Sequence, residues 1–414
     1  MTRCVVVGSG AREHALAWGL SQSAEVVVTP GNAGIVAHGL TCVDTPATEL
    51  EADLFVVGPE LPLVQGLADE LRAQGKVVFG PGRDGAQLEE SKAYMKQFLR
   101  DAGVPTAKFA IFDDAGDAET FLRTMTPPYV IKTDGLAAGK GVLVTDDFDA
   151  ACADVRDKLS GRAFGEAGTT VVIEEGLDGD ECSLLVLCDG QRAVALVPAQ
   201  DFKRVGDGDT GVNTGGMGAF APMGSMTNTD IELVMTSIVT PTLEELRRRG
   251  IDFRGVLYAG VMMGVAGPKL LEYNVRFGDP ETQVLVPLYG ASLFDFLLSV
   301  ASGHLAPVPR TTGQSAVTVV VAAHGYPEAP RAGDVIEGLG NDGQLELPIE
   351  GVTIFHAGTA RDAHGRFVTN GGRVLAVTAV GDSLVQARER AYAAAEQIAF
   401  DGRVMRHDIA RSAS

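Results

Sequence analysis

The sequence predicts a multidomain protein that joins an α/β domain to α+β domains, and three observations carry that expectation. The first hundred residues alternate short apolar runs with helical patterns, the signature of a mostly parallel sheet covered by helices. The next hundred hold strands separated mainly by glycine turns, with one clear helix among them, as in a small antiparallel unit. A proline pair, Pro307 and Pro309, then precedes a last run of strands and a helix. The length of 414 residues fits two to four domains at about 150 residues each.

In the first region Cys4 to Val7, Glu25 to Val28, Leu54 to Val57 and Val77 to Phe79 read as strands. Arg12 to Ser21 and Leu63 to Gln74 read as helices. Ligands of such sheets bind beyond the C-terminal strand ends. The loops there are 8–13, 30–34 and 58–62, which the pattern assigns to one pocket. Ser91 to Ala102 reads as a helix stopped by Gly103. Tyr129 to Lys132, Gly141 to Thr145, Thr170 to Glu174, Cys182 to Leu187 and Arg192 to Pro198 read as strands of the small unit, with helix Phe148 to Leu159. A glycine-rich stretch, Val205 to Gly218, follows. Helix Ile231 to Arg249 and strands Val256 to Met263 and Lys269 to Asn274 come next. The last region carries strands Ala316 to Ala323, Val352 to Ala357 and Arg373 to Val380 and helix Ser383 to Ile398.

With 45 % hydrophobic residues the chain has material for real cores. Its net charge of −20 repels nucleic acid and anionic lipid, so neither is an expected partner. No apolar run reaches the roughly 18 residues of a membrane span, and no signal peptide precedes the first strand. Cys4, Cys42, Cys152, Cys182 and Cys188 form no CxxC pair and read as small hydrophobes. A reduced, cytoplasmic enzyme is the expectation.

Two familiar nucleotide motifs fail. Gly8-x-Gly10 follows a strand, but Glu13 stands where a dinucleotide fingerprint needs its third glycine. The turn and Arg12 still suit a single phosphate, or an ordinary strand-to-helix turn. Gly135 to Gly141 mimics a P-loop, yet is one residue short, lacks Ser or Thr after Lys140, and lies between strands. Such a hairpin can fold its backbone N–H groups and Lys140 over nucleotide phosphates. Lys132, closing an apolar strand beside it, points to an anion. Ile173 to Glu181 ends a strand in Glu174 and Glu175, turns on glycine and resumes at Glu181. That suits a nucleotide's base edge and ribose, although acidic turns are common on an acidic protein.

Glu272, Asn274 and Arg276 alternate on one strand and so share a face. The first two are hard oxygen ligands for Mg²⁺, and the guanidinium beside them suits a transferring phosphoryl group. Gln200 to Arg204, followed by six glycines, reads as a loop that closes over a polar substrate. Nothing resembles a nucleophilic triad, and no histidine pair has metal spacing.

Together these segments resemble the ATP-grasp superfamily and, within it, the phosphoribosylamine–glycine ligase (glycinamide ribonucleotide synthetase) family. The resemblance runs through GSGAREHALAW at 8–18, PGNAG at 30–34, VVGPELPLV at 56–64, IKTDGLAAGKGV at 131–142, EEGLDGDECS at 174–183, KRVGDGDTGVNTGGMGAF at 203–220 and RFGDPETQ at 276–283. It implies an N-terminal α/β pre-ATP-grasp domain at 1–103, an ATP-grasp core at 104–300 with an inserted lid at about 124–192, and a C-terminal α+β domain at 301–414. The implied reaction ligates glycine to 5-phosphoribosylamine with ATP in purine synthesis. It uses Mg²⁺ or Mn²⁺ and a monomer or weak homodimer.

By position, the resemblance assigns Lys92 and Lys132 to ATP phosphates, Lys140 to the lid loop of the ATP site, Glu174, Glu175 and Leu177 to adenine, and Glu181 to ribose. Glu272 and Asn274 would hold the metal, with Arg276 beside the γ-phosphate. Phosphoribosylamine would meet Gly10, Ala11, Arg12, Glu13, Gly31, Asn32, Pro59 and Glu60. Asp201, Lys203, Arg204, Asn213, Thr214, Gly215, Gly216 and Met217 would face glycine and the amine, with Arg276, Lys132 and Asp201 in catalysis. Ala11, Phe202 and Ala410 stand where the family pattern has glycine, histidine and glycine.

Overall fold

Four sheets of four or five strands organise the computed structural model, which describes residues 2–136, 141–161 and 169–411. The first sheet is wholly parallel, in the order Thr41–Cys42, Glu25–Pro30, Arg3–Gly8, Leu54–Val57, Val78–Phe79. Its valines are buried on both faces, which is why the runs show no polar alternation. Three of its strands end on the loops expected to share a pocket. Helix Ala11–Leu20 begins there, and the Glu13 carboxylate accepts the Gly10 N–H at 2.7 Å.

The expected helix Leu63 to Gln74 is two helices, Glu60–Val64 and Leu67–Ala73. Gly66 lies between them at φ +92°, a left-handed conformation that a right-handed helix cannot pass through. An unexpected helix, Arg83–Glu90, leads into Lys92–Ala102. Ser91 caps the latter by accepting the Tyr94 N–H, and Gly103 ends it.

The small sheet is antiparallel, in the order Phe109–Phe112, Val171–Glu175, Tyr129–Thr133, Val142–Thr145. Helices Ala115–Leu122 and Phe148–Leu159 cover it around Ile131, Val155 and Ile173. The sequence reading also puts Cys182 to Leu187 and Arg192 to Pro198 in this unit. The hydrogen bonding places them elsewhere: Asp180–Asp189 and Ala193–Ala195 join Arg254–Gly264 and Gly267–Asn274 in a third sheet. Glycine turns mark strand ends but carry no information about partners.

The fourth sheet contains Ser315–Ala322, Arg373–Gly381 and Val352–His356, as expected of the C-terminal region. It also takes in Gly218–Ala221 as the neighbour of Ser315–Ala322, with Gln200–Asp201 paired outside it as the edge strand. The glycine-rich stretch is therefore not a free loop. It contains the hairpin Arg204–Gly206 and Thr210–Asn213, and both of its flanks belong to the C-terminal sheet. The expected helix Ile231 to Arg249 is present with a π turn, Met235–Val239, at its centre.

One helical stretch, Glu281–Ala301, has 21 residues and mean hydropathy 1.8, long and apolar enough to cross a membrane, contrary to the sequence reading. Yet 61 % of that apolar window is buried inside the protein. Val284, Leu288 and Leu297 pack there with Val6 and Leu16 of the first domain.

Candidate active site

All four sheets or their connecting loops reach one cavity of about 1050 Å³. Strand Gly267–Asn274 brings Glu272 and Asn274 to its wall, and Arg276 follows just beyond the strand end. The period of two thus gathers the three residues as expected. Among the described residues the Glu272 carboxylate makes no hydrogen bond or ion pair. Burial raises its pKa, but Lys203, Lys132, Lys92 and Arg276 around it more than offset that and hold it below the ordinary carboxylate value. Glu272 is an ionised group with free oxygens.

Arg276 is clamped. It pairs with Glu89 at 2.8 Å and Glu60 at 3.3 Å, and donates to Asn274 Oδ1 at 3.1 Å. Glu89 in turn accepts the Val275 N–H at 2.7 Å, so the unexpected helix Arg83–Glu90 orients the guanidinium. Burial opposes the charge on Arg276, yet Glu89 and Glu60 push its pKa upward.

Elsewhere in the lining Glu174 lies between two lysines. Lys96 Nζ is 2.8 Å from one carboxylate oxygen and Lys132 Nζ 2.9 Å from the other. Lys132 also donates to the Leu271 carbonyl at 3.3 Å, which ties the small sheet to strand Gly267–Asn274. Burial pushes Lys96 down to about 8, with Glu174 opposing. Glu175 pairs with Lys269 at 2.9 Å.

A buried hydrogen-bond chain marks a third wall. Tyr258 donates to Glu281 at 2.7 Å, Ser183 Oγ is 2.8 Å from the Tyr258 hydroxyl, and Ser183 reaches Asp201 at 3.3 Å. Lys203 lies 3.6 Å from Asp201 and contacts Glu181 directly. Burial, with Glu281, Glu181 and Glu272 adding to it and Lys203 opposing, leaves Asp201 pushed up to about 7.

Of the residues expected at the site, Arg12, Glu60, Lys92, Lys132, Glu174, Glu175, Leu177 and Glu181 line the cavity. So do Asp201, Lys203, Arg204, Asn213, Thr214, Gly215, Glu272, Asn274 and Arg276. Gly10, Ala11, Glu13, Gly31, Asn32, Pro59, Gly216 and Met217 do not. Glu13 is buried under the loops, bonded to Gly10 and Arg12, where side chains on Gly8 or Gly58 would collide with it. Asn32 caps helix Ala33–Ala37 and donates to the Ser9 and His356 carbonyls at 2.7 and 2.9 Å. Met217 is fully buried. Lys140 lies outside the described residues.

The sequence reading missed Lys96, Glu89, Tyr258, Glu281, Asp279 and Arg373. Lys96 left one signal: a lysine amid Met95, Phe98 and Leu99 on the buried face of an amphipathic helix. Asp279 and Glu281 stood inside the quoted run RFGDPETQ, unassigned. Two departures gain an account. Phe202 lies under the Arg406 guanidinium, 4.8 Å from its ring centre, a contact that a protonated histidine would disfavour. Ala410 has φ +60°, the conformation for which glycine is the usual residue.

Family models match almost the whole chain in order: the phosphoribosylglycinamide synthetase N domain at 2–89, its ATP-grasp (A) domain at 90–282 and its C domain at 316–412. A phosphoribosylamine–glycine ligase of Caulobacter vibrioides is 47 % identical over 419 residues, covering 98 % of this chain and 97 % of the relative. The crystal structure of a phosphoribosylamine–glycine ligase from Thermotoga maritima superposes with a TM-score of 0.83 at 37 % identity, covering 99 % of this chain and 100 % of that one. The biotin carboxylase domain of the Hydrogenobacter thermophilus 2-oxoglutarate carboxylase, solved with MgADP, reaches a TM-score of 0.72 at 16 % identity, covering 98 % of this chain and 91 % of that one, and shares the fold. With three consecutive family domains and full-length relatives of this identity, the chain belongs to the phosphoribosylglycinamide synthetase family of ATP-grasp proteins.

Proposed function

We propose that this chain ligates glycine to 5-phosphoribosylamine through a glycyl phosphate, giving glycinamide ribonucleotide, ADP and phosphate. The observation that carries this reading is the open, ionised Glu272 beside Asn274 and the clamped Arg276, on one cavity wall with Lys92 and Lys132.

A carboxylate is a poor acyl donor because oxide is a bad leaving group. In the first step a glycine carboxylate oxygen bonds to the γ-phosphorus and ADP leaves. Lys92, Lys132 and Arg276 are placed to offset the phosphoryl charge. In the second step the amine nitrogen bonds to the acyl carbon, phosphate leaves and the nitrogen gives up a proton. Asp201, beside Lys203, stands on the side where glycine and the amine would meet. Arg12 and Glu60 reach the cavity from the N-terminal loops, where phosphoribosylamine would bind.

Glu272 and Asn274 suit Mg²⁺ or Mn²⁺: both are hard oxygen donors, and two protein ligands leave positions for substrate phosphates and water. When bound, the metal would supply charge neutralisation at the phosphates. Leu177 and the backbone at Glu174 and Glu175 would meet adenine, Glu181 the ribose, and the sheet 109–175 would act as the lid. The free thiols, all but the half-buried Cys42 buried, fit a reduced cytoplasmic setting.

The test is ADP release on mixing ATP, glycine and 5-phosphoribosylamine, with hydroxylamine added to trap glycyl phosphate as the hydroxamate. Release triggered by bicarbonate or formate instead would overturn the proposal. Turnover without a hydroxamate would remove the acyl phosphate.

A further inference from the structure

The glycine-rich segment reads in sequence as a loop that closes over a polar substrate. In the fold it is held at two points by the C-terminal domain. At its tip, the fully buried Arg406 donates to the Arg204 carbonyl at 3.2 Å and pairs with Asp209 at 2.6 Å. The Gly208 N–H donates to Asp408 at 2.7 Å. At its base, Arg373 donates to the Gly215 carbonyl, to the Asp279 carbonyl at 2.8 Å and to the Asp279 carboxylate at 2.9 Å. The Gly215 N–H donates to the Tyr326 hydroxyl at 3.1 Å.

Arg373 starts the strand Arg373–Gly381 of the C-terminal sheet, 94 positions from Asp279 and 158 from Gly215. One planar guanidinium therefore fixes two backbones that no sheet connects. A fork of five N–H donors can do this; a lysine point charge cannot. The approach is close: a side chain on Gly215 would sit 3.1 Å from the guanidinium carbon, and one on Gly216 would strike Pro280 at 2.5 Å. Gly216 has φ +110°, so its backbone also excludes other residues.

We propose that Arg373 is a positioning residue: from the C-terminal domain it locks the loop Asn213 to Met217 onto the turn at Asp279, and so sets the affinity for glycine and the amine substrate but not for ATP. The inference rests on reading that loop as the glycine and amine side of the cavity. The nucleotide side is built from strands Val171–Glu175 and Asp180–Asp189, which Arg373 does not touch.

The test measures KM for glycine and 5-phosphoribosylamine in R373A, R373K and Y326F, with direct titration of ATP into each variant. R373A should raise both KM values about tenfold or more, since a small misplacement of a substrate loop is costly. Its ATP affinity should stay within about twofold of the parent, as expected for an interaction removed from one subsite only. R373K should remain impaired, and millimolar guanidinium should partly restore R373A. Y326F, which keeps the ring and removes only the hydroxyl, should shift the same two constants less, and it decides the matter if R373A does not fold. Unchanged KM values, or ATP affinity falling in parallel, would overturn the proposal. A parent protein that does not turn over glycine with phosphoribosylamine would instead overturn the proposed reaction, so the two failures are distinguishable.

Discussion

Glu174 and Glu272 are carboxylates lining the same cavity, and their surroundings differ in kind. Glu174 has a lysine on each oxygen, at 2.8 and 2.9 Å. Its charge is spent inside the protein. Glu272 is surrounded by four cations, yet among the described residues its oxygens touch none of them. Its charge is available to something the protein does not itself contain. In the sequence Glu174 closes one strand and Glu272 lies within another, and both were assigned to the site. The contacts separate a carboxylate that holds two cations in place from one whose oxygens, among the described residues, hold none.

The sharpest way to break the contrast is Glu272→Gln. Turnover should fall on the order of 10³-fold, while the urea midpoint stays near that of the parent, because no internal contact is lost. Near-normal turnover would end the metal-ligand reading. Glu174→Ala should do the reverse, costing about 3–5 kcal/mol in urea unfolding because Lys96 and Lys132 are left buried without their counter-charge. A loss below about 1 kcal/mol would mean that this pair behaves like an exposed one.

Buried groups with no charge partner form a third case. The His356 N–H donates to His14 Nδ1 at 2.9 Å, so the His14 hydrogen is on Nε2, facing His38 Nδ1 at 3.0 Å. Burial, followed by the neighbouring histidines, lowers His14, and burial takes His356 down to about 4 from 6.5. A folded pKa below the unfolded one means stability is complete above the unfolded value and is lost as pH falls toward the folded one. His356 alone contributes on the order of 3 kcal/mol across that range. Equal urea midpoints at pH 7.5 and pH 5 would show that these histidines are not buried neutral. The smallest effect is expected of Tyr258→Phe, which removes the donor to Glu281 and the partner of Ser183. It should cost about 1–3 kcal/mol in stability and lower kcat more than it changes ATP affinity. A variant with parental kcat and stability would show that the chain reaching Asp201 is ornamental.

Local patterns were the legible part. The parallel sheet appeared as four apolar runs, the helix stop at Gly103 as a single letter, and one wall of the cavity as alternation of Glu272, Asn274 and Arg276, whereas Ser91 read as part of its helix and only the fold shows it as the cap. Each depends on residues within a few positions of one another. The helix break at Gly66 was not legible, because a glycine is tolerated in a helix until its φ is known. Nor was the membership of Asp180–Asp189, since a strand's own sequence does not name its neighbour.

By itself the sequence determined which segments become strands and helices, and which polar residues stand together on one of them. Glu272 and Asn274 face one way because successive strand side chains alternate, whatever surrounds them. Only the tertiary structure decided what each charge meets. Lys96 finds Glu174 across 78 positions, and Arg373 finds Asp279 across 94. Those pairings follow from how the sheets pack, and packing is set by burying apolar faces that name no particular partner. Hence the same residue type is closed off at Glu174 and open at Glu272.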